Sequence, residues 1–199
     1  ASIYQGRRID HDLIVGLVAE HSRVLDLGCG DGALLCRLRA QRRIEGLGIE
    51  RDSDMILACA QRGIAVRQAD LDAGLGAFAD KSFDYVALSM TLQSVHDPDL
   101  LLREMLRVGR RCIVSIPNFG HWSVRTRTLL RGRAPVTRNL PHAWFNSPDI
   151  RVLSLSDFHA FCAAHDVEIE RAVALSKRGR IKCWPNLRAE EAVFLLRPK

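Results

Sequence analysis

The chain has 199 residues, of which 47% are hydrophobic and 26% charged, as in an ordinary soluble globular domain. It has no apolar run near the roughly 18 residues of a membrane span. Its first eight residues lack the apolar core of a signal peptide, so we expect a cytoplasmic protein. The net charge of +6 fits either an acidic or nucleic-acid partner or a solvated basic surface.

Six cysteines are spread along the chain. No two form a Cys-x-x-Cys pair, and no cysteine and histidine residues have the spacing of a zinc site. Several lie in apolar segments, where cysteine acts as a small hydrophobic residue. The sequence therefore predicts reduced thiols and no bound metal.

Short apolar runs alternate with helical patterns from the N-terminus onward. This alternation predicts an α/β fold, a mostly parallel seven-stranded sheet with helices on both faces. We expect a single domain over residues 1–199, with the last two strands antiparallel to each other. The predicted strands cover residues 24–27, 44–49, 65–69, 83–89, 112–116, 167–176 and 192–196, and the predicted helices cover residues 9–21, 33–38, 53–62, 98–108 and 156–165.

Three predicted helices begin at residues that can accept a hydrogen bond from the first helical turn. Ser53, Asp97 and Ser156 have side-chain oxygens of this kind, so each is a candidate N-cap. Pro98 follows Asp97 and suits the first turn of a helix. These signals place the helix starts but not the helix ends.

Residues 119–151 interrupt the alternation, as an insertion between the fifth strand and the last helix. Tryptophan and arginine are typical anchors of protein contacts, which makes this insertion a candidate interface. Two alternatives remain open: the tryptophans could simply cover the sheet, and the arginines could bind RNA phosphates. The residues concerned are Trp122, Trp144, Phe145, Arg125, Arg127, Arg131, Arg133 and Arg138.

The run Arg-Val-Leu-Asp-Leu-Gly-Cys-Gly-Asp-Gly at residues 23–32 contains the most informative pattern in the chain. It predicts a strand, a glycine turn and a helix in that order. Glycine accepts a positive φ and lets backbone N–H groups approach a ligand closely, and the following helix N-terminus carries partial positive charge. The sequence therefore predicts a nucleotide cradle.

The glycine spacing alone does not identify the nucleotide. Gly28-x-Gly30-x-x-Ala33 also satisfies the dinucleotide fingerprint. Asp26, however, places a carboxylate beside the glycines, where it would repel a pyrophosphate and attract an ammonium and a sulfonium. S-adenosylmethionine carries both cations and no phosphate. The run thus resembles the Asp/Glu-x-Gly-x-Gly-x-Gly motif of class I methyltransferases.

Further candidate ligands follow at the ends of the later strands, which share one edge of a parallel sheet. The two oxygens of Glu50 match the hydroxyls of a ribose. Asp70 can accept from an adenine amino group, and Leu71 can pack on the ring, a placement that the methyltransferase resemblance favours over Asp72. The candidate cofactor-binding residues are Asp26, Gly28, Cys29, Gly30, Glu50, Arg51, Asp70, Leu71 and Ser89.

No catalytic residue can be named from the sequence. His96 lies near the predicted rim, but a lone histidine in a loop is more often a surface residue. Methyl transfer from a sulfonium needs mostly alignment and desolvation, so a missing base does not exclude an enzyme. Ser89 to Gln93 is not the Asn/Asp-Pro-Pro-Tyr motif used in methylation of bases, which makes a nucleic-acid substrate an unfavoured alternative.

Several stretches together resemble the MetW family of methionine-biosynthesis proteins, which are built on the Rossmann-like class I methyltransferase fold. Pro-Asn-Phe-Gly-His-Trp and Trp-Phe-Asn-Ser-Pro-Asp-Ile are the most specific of them. In the second block the family usually has Tyr-Asn-Thr-Pro-Asn-Ile-His, so this chain departs at Phe145, Ser147, Asp149 and Arg151. The resembling stretches cover residues 23–35, 88–95, 102–108, 115–122 and 140–158.

The resemblance implies an accessory role beside a homoserine O-acyltransferase of the α/β-hydrolase type, with bound S-adenosylmethionine or S-adenosylhomocysteine. The chain has no Gly-x-Ser-x-Gly nucleophile elbow, so acyl transfer is not assigned to it. The alternative function is an S-adenosylmethionine-dependent methyltransferase that acts on a small molecule.

Overall fold

The computed structural model describes residues 8–136 and 143–198. Its strands lie in one sheet in the order β3-β2-β1-β4-β5-β8-β6-β7, and β1 to β5 are parallel. β8 runs antiparallel to both β5 and β6. The strands are β1 (Arg23–Leu27), β2 (Glu45–Glu50), β3 (Ala65–Gln68), β4 (Phe83–Ser89), β5 (Gly109–Pro117), β6 (Val167–Ser176), β7 (Gly179–Ile181) and β8 (Glu191–Pro198).

Helices cover both faces of this sheet because alternate strand residues point to opposite sides. Leu25 and Leu27 of β1 belong to the core shared with α4 and α6, whereas Val24 belongs to the core shared with α1, α2 and α3. The helices are α1 (Ile9–Leu17), α2 (Ala33–Arg42), α3 (Ser53–Gln61), α4 (Pro98–Val108), α5 (Trp122–Arg131), α6 (Leu155–Ala164) and α7 (Pro185–Arg188).

The predicted α/β architecture is confirmed, but several details of the prediction are wrong. The described sheet has eight strands instead of seven, because the short β7 pairs with the outer side of β6. The first helix ends at Leu17, four residues before the predicted end. Asp52 and Ser154, rather than Ser53 and Ser156, cap α3 and α6, since their side chains accept from the first-turn N–H groups.

The described part of the insertion between β5 and α6 contains one helix, α5, and a hydrogen bond joins the two ends of the insertion. Phe119 N donates to Leu153 O at 3.1 Å. Because β5 is parallel to β1 and β4, the insertion leaves the sheet at the edge where those strands also end. Arg138, and the start of the resembling block at residue 140, lie outside the described residues.

Asn118 holds the base of this insertion and is only 3% exposed. Its Nδ2 donates to Asn186 O at 2.9 Å and to Ala189 O at 2.8 Å. Its Oδ1 accepts from Gly120 N at 2.9 Å and from Leu155 N at 3.4 Å. One amide side chain therefore fixes β5, α6 and the segment before β8 relative to one another.

Replacing Asn118 by Ala is expected to lower the free energy of unfolding by about 3 kcal/mol, since several buried backbone groups lose their partner. Urea denaturation would measure this loss. Asn146→Ala provides the control, because Asn146 is exposed and its removal should change stability by less than about 0.5 kcal/mol. Equal effects of the two substitutions would contradict the role assigned to Asn118.

Candidate functional site

The candidate site lies at the carboxyl ends of β1, β2, β3 and β4, and the glycine loop after β1 forms its floor. Gly28 and Gly30 have φ angles of +67° and +55°. Gly28 N and Cys29 N both donate to Ile49 O, at 2.8 and 3.0 Å, which ties the loop to the end of β2. Gly30 N donates to Glu50 Oε2 at 2.9 Å.

Space above the loop is limited at Gly28 and open at Gly30. A Cβ on Gly28 would lie 2.8 Å from Thr91 Cγ2 and 2.9 Å from Thr91 Oγ1, whereas a Cβ on Gly30 would meet nothing within 4 Å. Thr91, in the turn after β4, thus packs directly on the glycine loop. The turn after β4 therefore leaves no room for a side chain at Gly28.

The two glycines therefore give a matched pair of substitutions. Gly30→Ala should cost about 1 kcal/mol of stability, from the positive φ alone. Gly28→Ala should cost about 3 kcal/mol, since overpacking against Thr91 adds to that strain. Thermal unfolding of the two variants would measure the difference, and a Gly30→Ala variant as unstable as Gly28→Ala would contradict this geometry.

Cys29 contributes to the loop through its backbone, because its side chain points inward. Its Sγ lies 3.9 Å from Cys59 Sγ on α3, and a Cβ added to Gly48 would lie 2.4 Å from it. Burial raises the pKa of both thiols, and the nearby Asp26 raises them further. The predicted site residue Cys29 is therefore a packing side chain next to Gly48.

Asp26 is 2% exposed at the end of β1, and its Oδ1 has no hydrogen-bond partner among the described residues. Burial raises the pKa of this carboxyl to about 7, opposed by the charge of Arg8 and reinforced by Asp10 and Glu50. A buried carboxyl oxygen without a partner is unfavourable unless a hydrogen-bond donor or a cation binds it. Asp26 is thus available to a cationic or hydrogen-bonding ligand.

The Glu50 carboxylate is fixed by three backbone N–H groups. Its Oε2 accepts from Gly30 N, while Oε1 accepts from Arg51 N at 2.7 Å and Asp52 N at 3.0 Å. A carboxylate has about four acceptor positions, so about one remains, on Oε2. The structure therefore leaves Glu50 room for one ligand hydroxyl beside the glycine loop.

Asp70 and Arg51 lie at the outer side of the site. Asp70 Oδ1 accepts from Asp72 N at 3.1 Å and caps the short turn Leu71–Ala73. Its Oδ2 is 3.9 Å from Arg51 Nη1, and both side chains are at least half exposed. Leu71 is half-buried and packs against the core on the α4 side. These residues follow β2 and β3, next to Glu50.

Asp72 and His96 form a separate exposed pair. His96 Nδ1 is 2.7 Å from Asp72 Oδ2, and His96 N donates to Asp72 Oδ1 at 2.8 Å. Burial acts to raise the pKa of Asp72, but the hydrogen bonds from His96 outweigh it and lower the pKa. The pair joins the turn after β3 to the loop after β4.

Ser89 is engaged by a buried network that the sequence did not reveal. Its Oγ donates to Asp10 Oδ2 at 2.7 Å and accepts from Arg8 Nη2 at 2.7 Å. Ser115 Oγ also donates to Asp10 Oδ2, at 2.9 Å. Asp10 is fully buried, and although burial acts to raise the pKa of its carboxyl, the bonds and charge of Arg8 hold it well below its usual range.

This network joins the start of α1 to the ends of β4 and β5, which face Asp26. No sequence signal separates Asp10 from Asp12, since both are acidic residues in the first turn of a helix, where such residues are common. The next residue, His11, is 7% exposed, and burial lowers its pKa to about 4. Arg8, Asp10 and Ser115 therefore join the candidate site residues.

Met90 shows that the turn after β4 is under backbone strain. It has a φ of +53° although it is not glycine, and it is 5% exposed. Its N–H donates to both the O and the Oγ of Ser115, each at 3.0 Å. Strain of this kind is concentrated at functional sites, and here it positions Thr91 over the glycine loop.

Among the described residues, no three metal-ligating side chains form a cluster that could hold an ion. The described helices also include none that is long and apolar enough to cross a bilayer.

Comparison with solved structures identifies the fold. The fold matches an S-adenosylmethionine-dependent methyltransferase of Thermotoga maritima, described as a possible histamine N-methyltransferase, with a TM-score of 0.69 and 19% identity over 96% of this chain and 88% of that one. A Mesorhizobium loti methyltransferase gives a TM-score of 0.68 and 18% identity over 94% and 96% of the two chains. The fold is the Rossmann-like class I methyltransferase fold.

Sequence comparison then gives the family. The family model described as methionine biosynthesis protein MetW matches residues 8–196, so the chain belongs to the MetW family. It is also 38% identical to the bifunctional methionine biosynthesis protein MetXA/MetW of Rhodopirellula baltica, over 94% of this chain. The chain spans 32% of that relative's length.

Proposed function

We propose that this chain binds S-adenosylmethionine or S-adenosylhomocysteine and acts with a homoserine O-acyltransferase as an accessory or regulatory subunit in methionine biosynthesis. The observation that carries the proposal is the relative in which MetXA and MetW form one bifunctional chain. We take the MetXA portion to be the acyltransferase, of the α/β-hydrolase type. Membership of a methionine biosynthesis family supports a cytoplasmic location.

The residues at the strand ends fit an adenosylmethionine ligand. Asp26 offers an unpartnered buried oxygen to a cationic group, and Glu50 Oε2 offers one acceptor position to a ribose hydroxyl. Asp70 and Leu71 follow β3, where the adenine ring would lie. A bound adenosylmethionine would supply a methyl group on a sulfonium; the described residues bind and orient, and none is assigned a catalytic proton transfer.

A regulatory role is supported by hydrogen bonds between the site and the insertion. The buried Gln93, just after β4, accepts at its backbone oxygen from Ile150 N and Arg151 N, both at 3.0 Å. Arg151 Nε donates to Val95 O at 2.9 Å and Arg151 Nη2 to His96 O. The loop that contacts Gly28 through Thr91 is therefore bonded directly to the insertion. We infer that ligand binding alters the surface that the partner contacts.

Two measurements on the purified chain test this proposal. Calorimetry with S-adenosylhomocysteine should show binding to one site, and sedimentation of the chain with the acyltransferase from the same organism should show a complex. Absence of the complex would overturn the accessory role. Absence of ligand binding would overturn the proposed pocket but leave the partnership standing.

Methyl transfer to a small molecule is the second candidate function. The cradle around Asp26 and Gly28 favours it, because transfer from a sulfonium depends mainly on alignment. Release of S-adenosylhomocysteine by the chain alone, at a rate that depends on an added acceptor, would favour this function over the accessory role.

A further inference from the structure

Large apolar side chains are unusually exposed in one part of the molecule. Of the eleven such side chains that are exposed in the described residues, eight lie between residues 122 and 152. Exposed apolar patches of this kind mark interaction sites. We call these eight residues the insertion surface; they are Trp122, Leu129, Leu130, Val136, Trp144, Phe145, Ile150 and Val152.

The helix α5 carries the first part of the insertion surface. Val124 is its one buried residue, while Leu129 and Leu130 are 83% and 81% exposed. Trp122 and Leu129 are seven residues apart and lie on the same side of the helix, away from Val124. A ten-residue helix is marginal in water without packing, so α5 presents an apolar face that a partner would stabilise.

The second part lies on the segment that is bonded to Gln93. The rings of Trp144 and Phe145 form an edge-to-face pair with centroids 5.8 Å apart, and they are 80% and 73% exposed. Paired aromatic side chains offer a large contact area at a low entropic cost. Ile150 and Val152 extend the exposed apolar surface beside the bonds to the site loop.

The insertion is also strongly basic. Residues 119–148 contain five arginines and no aspartate or glutamate, so this segment carries +5 of the net charge of +6. Arg125 Nε donates to Gly120 O at 2.6 Å and Arg127 Nη1 to Val136 O at 2.6 Å, so both are bonded to backbone oxygens. A segment that combines exposed apolar side chains with positive charge is complementary to an apolar patch with acidic residues around it.

We propose that the insertion surface is the docking site for the homoserine O-acyltransferase, which meets it with an apolar patch rimmed by carboxylates. The proposal rests on the proposed function. The bifunctional relative from Rhodopirellula baltica supports the acyltransferase as the partner, because about two thirds of that chain lie outside the part that this chain matches. An acyltransferase of that size offers enough surface to cover both α5 and the Trp144–Phe145 pair.

Calorimetric titration with the acyltransferase from the same organism tests the docking site. Leu129→Ser and the double variant Trp144→Ala with Phe145→Ala should each weaken binding about tenfold or more. Arg131→Glu should weaken it most at low salt. Leu57→Ser on α3 and Arg178→Glu are the matched controls, since both are exposed outside the insertion, and each should bind within about twofold of the parent.

The outcomes separate this inference from the proposed function. Insertion variants that bind like the parent would overturn the docking site while the accessory role stands, whereas a parent chain that does not bind would overturn both. Parent and variants should have the same thermal midpoint, because the replaced side chains are exposed. Sedimentation of the chain alone, and binding to RNA or to anionic phospholipid vesicles, test other occupants. If only those interactions were lost in the insertion variants, the acyltransferase would be the wrong partner.

Discussion

Replacing Asp26 by Asn is expected to stabilise the ligand-free protein and, at the same time, to weaken its binding of S-adenosylhomocysteine. The folded pKa of Asp26 is about 7, against about 3.9 in an unfolded chain. The contribution of Asp26 to the free energy of unfolding is therefore fully present below pH ~4, and it is lost as the pH rises through 7. Above pH ~8 the asparagine variant should be more stable than the parent by up to about 4 kcal/mol.

A bound ligand should instead favour the ionised form of Asp26, because the cationic group of the ligand would lie beside the carboxylate. Binding to the parent should therefore weaken about tenfold between pH ~8 and pH ~6 as the carboxyl becomes protonated. Arg8, Asp10 and Glu50 also face this carboxyl. The variant should bind about 30-fold more weakly above pH ~8, where Asp26 is ionised, and should lose this part of the pH dependence.

Calorimetry across this pH range, together with urea denaturation, measures both effects of Asp26→Asn. Asp54→Asn is an isosteric control at an exposed position on α3 and should change neither quantity. The asparagine variant could instead be less stable than the parent at high pH, or bind S-adenosylhomocysteine as tightly as the parent does. Either result would show that Asp26 does not bind the cationic group of the ligand.

Replacing Glu50 by Ala should weaken ligand binding about 100-fold, because a charge-assisted hydrogen bond to the ribose is lost. The free energy of unfolding should also fall by about 2 kcal/mol, since Gly30 N, Arg51 N and Asp52 N lose their common acceptor. Calorimetry and denaturation of the same preparation distinguish the two effects.

Two further variants give the controls for Glu50. Glu50→Gln keeps an acceptor oxygen and should bind about tenfold more weakly than the parent, between the parent and the alanine variant. Glu45→Ala lies at the exposed start of the same strand and should bind normally. An alanine variant that is unstable but binds normally would restrict Glu50 to a structural role.

The sequence predicted the architecture well because strand and helix periodicities were clear and the glycine loop was specific. The wrong N-caps have a local cause. Asp52 precedes Ser53, and Ser154 precedes Ser156, so two candidate side chains lie within one turn, and only the structure shows which oxygen faces the first-turn N–H groups. β7 was missed because Gly179–Ile181 is too short for a periodic pattern.

The candidate site was predictable in part, for a physical reason. Asp26 and Glu50 lie at the ends of β1 and β2, and Asp70 follows β3. Parallel strands bring these ends to one edge of the sheet. The Asp10 network depends instead on how α1 crosses the sheet, and no local pattern encodes the contact between Asp10 and Ser115 over 105 positions. The exposure of Trp144 was also unpredictable, since tryptophan is as common in cores as at interfaces.

The most direct test of the accessory role is the homoserine O-acyltransferase activity of the partner enzyme, measured with and without this chain at several adenosylmethionine concentrations. The proposal predicts a clear rise in rate when the chain is added, and a rate of the complex that changes as adenosylmethionine saturates the chain. A rate that does not respond to the chain would contradict the accessory role, and a stimulated rate that ignores the ligand would contradict its regulatory part.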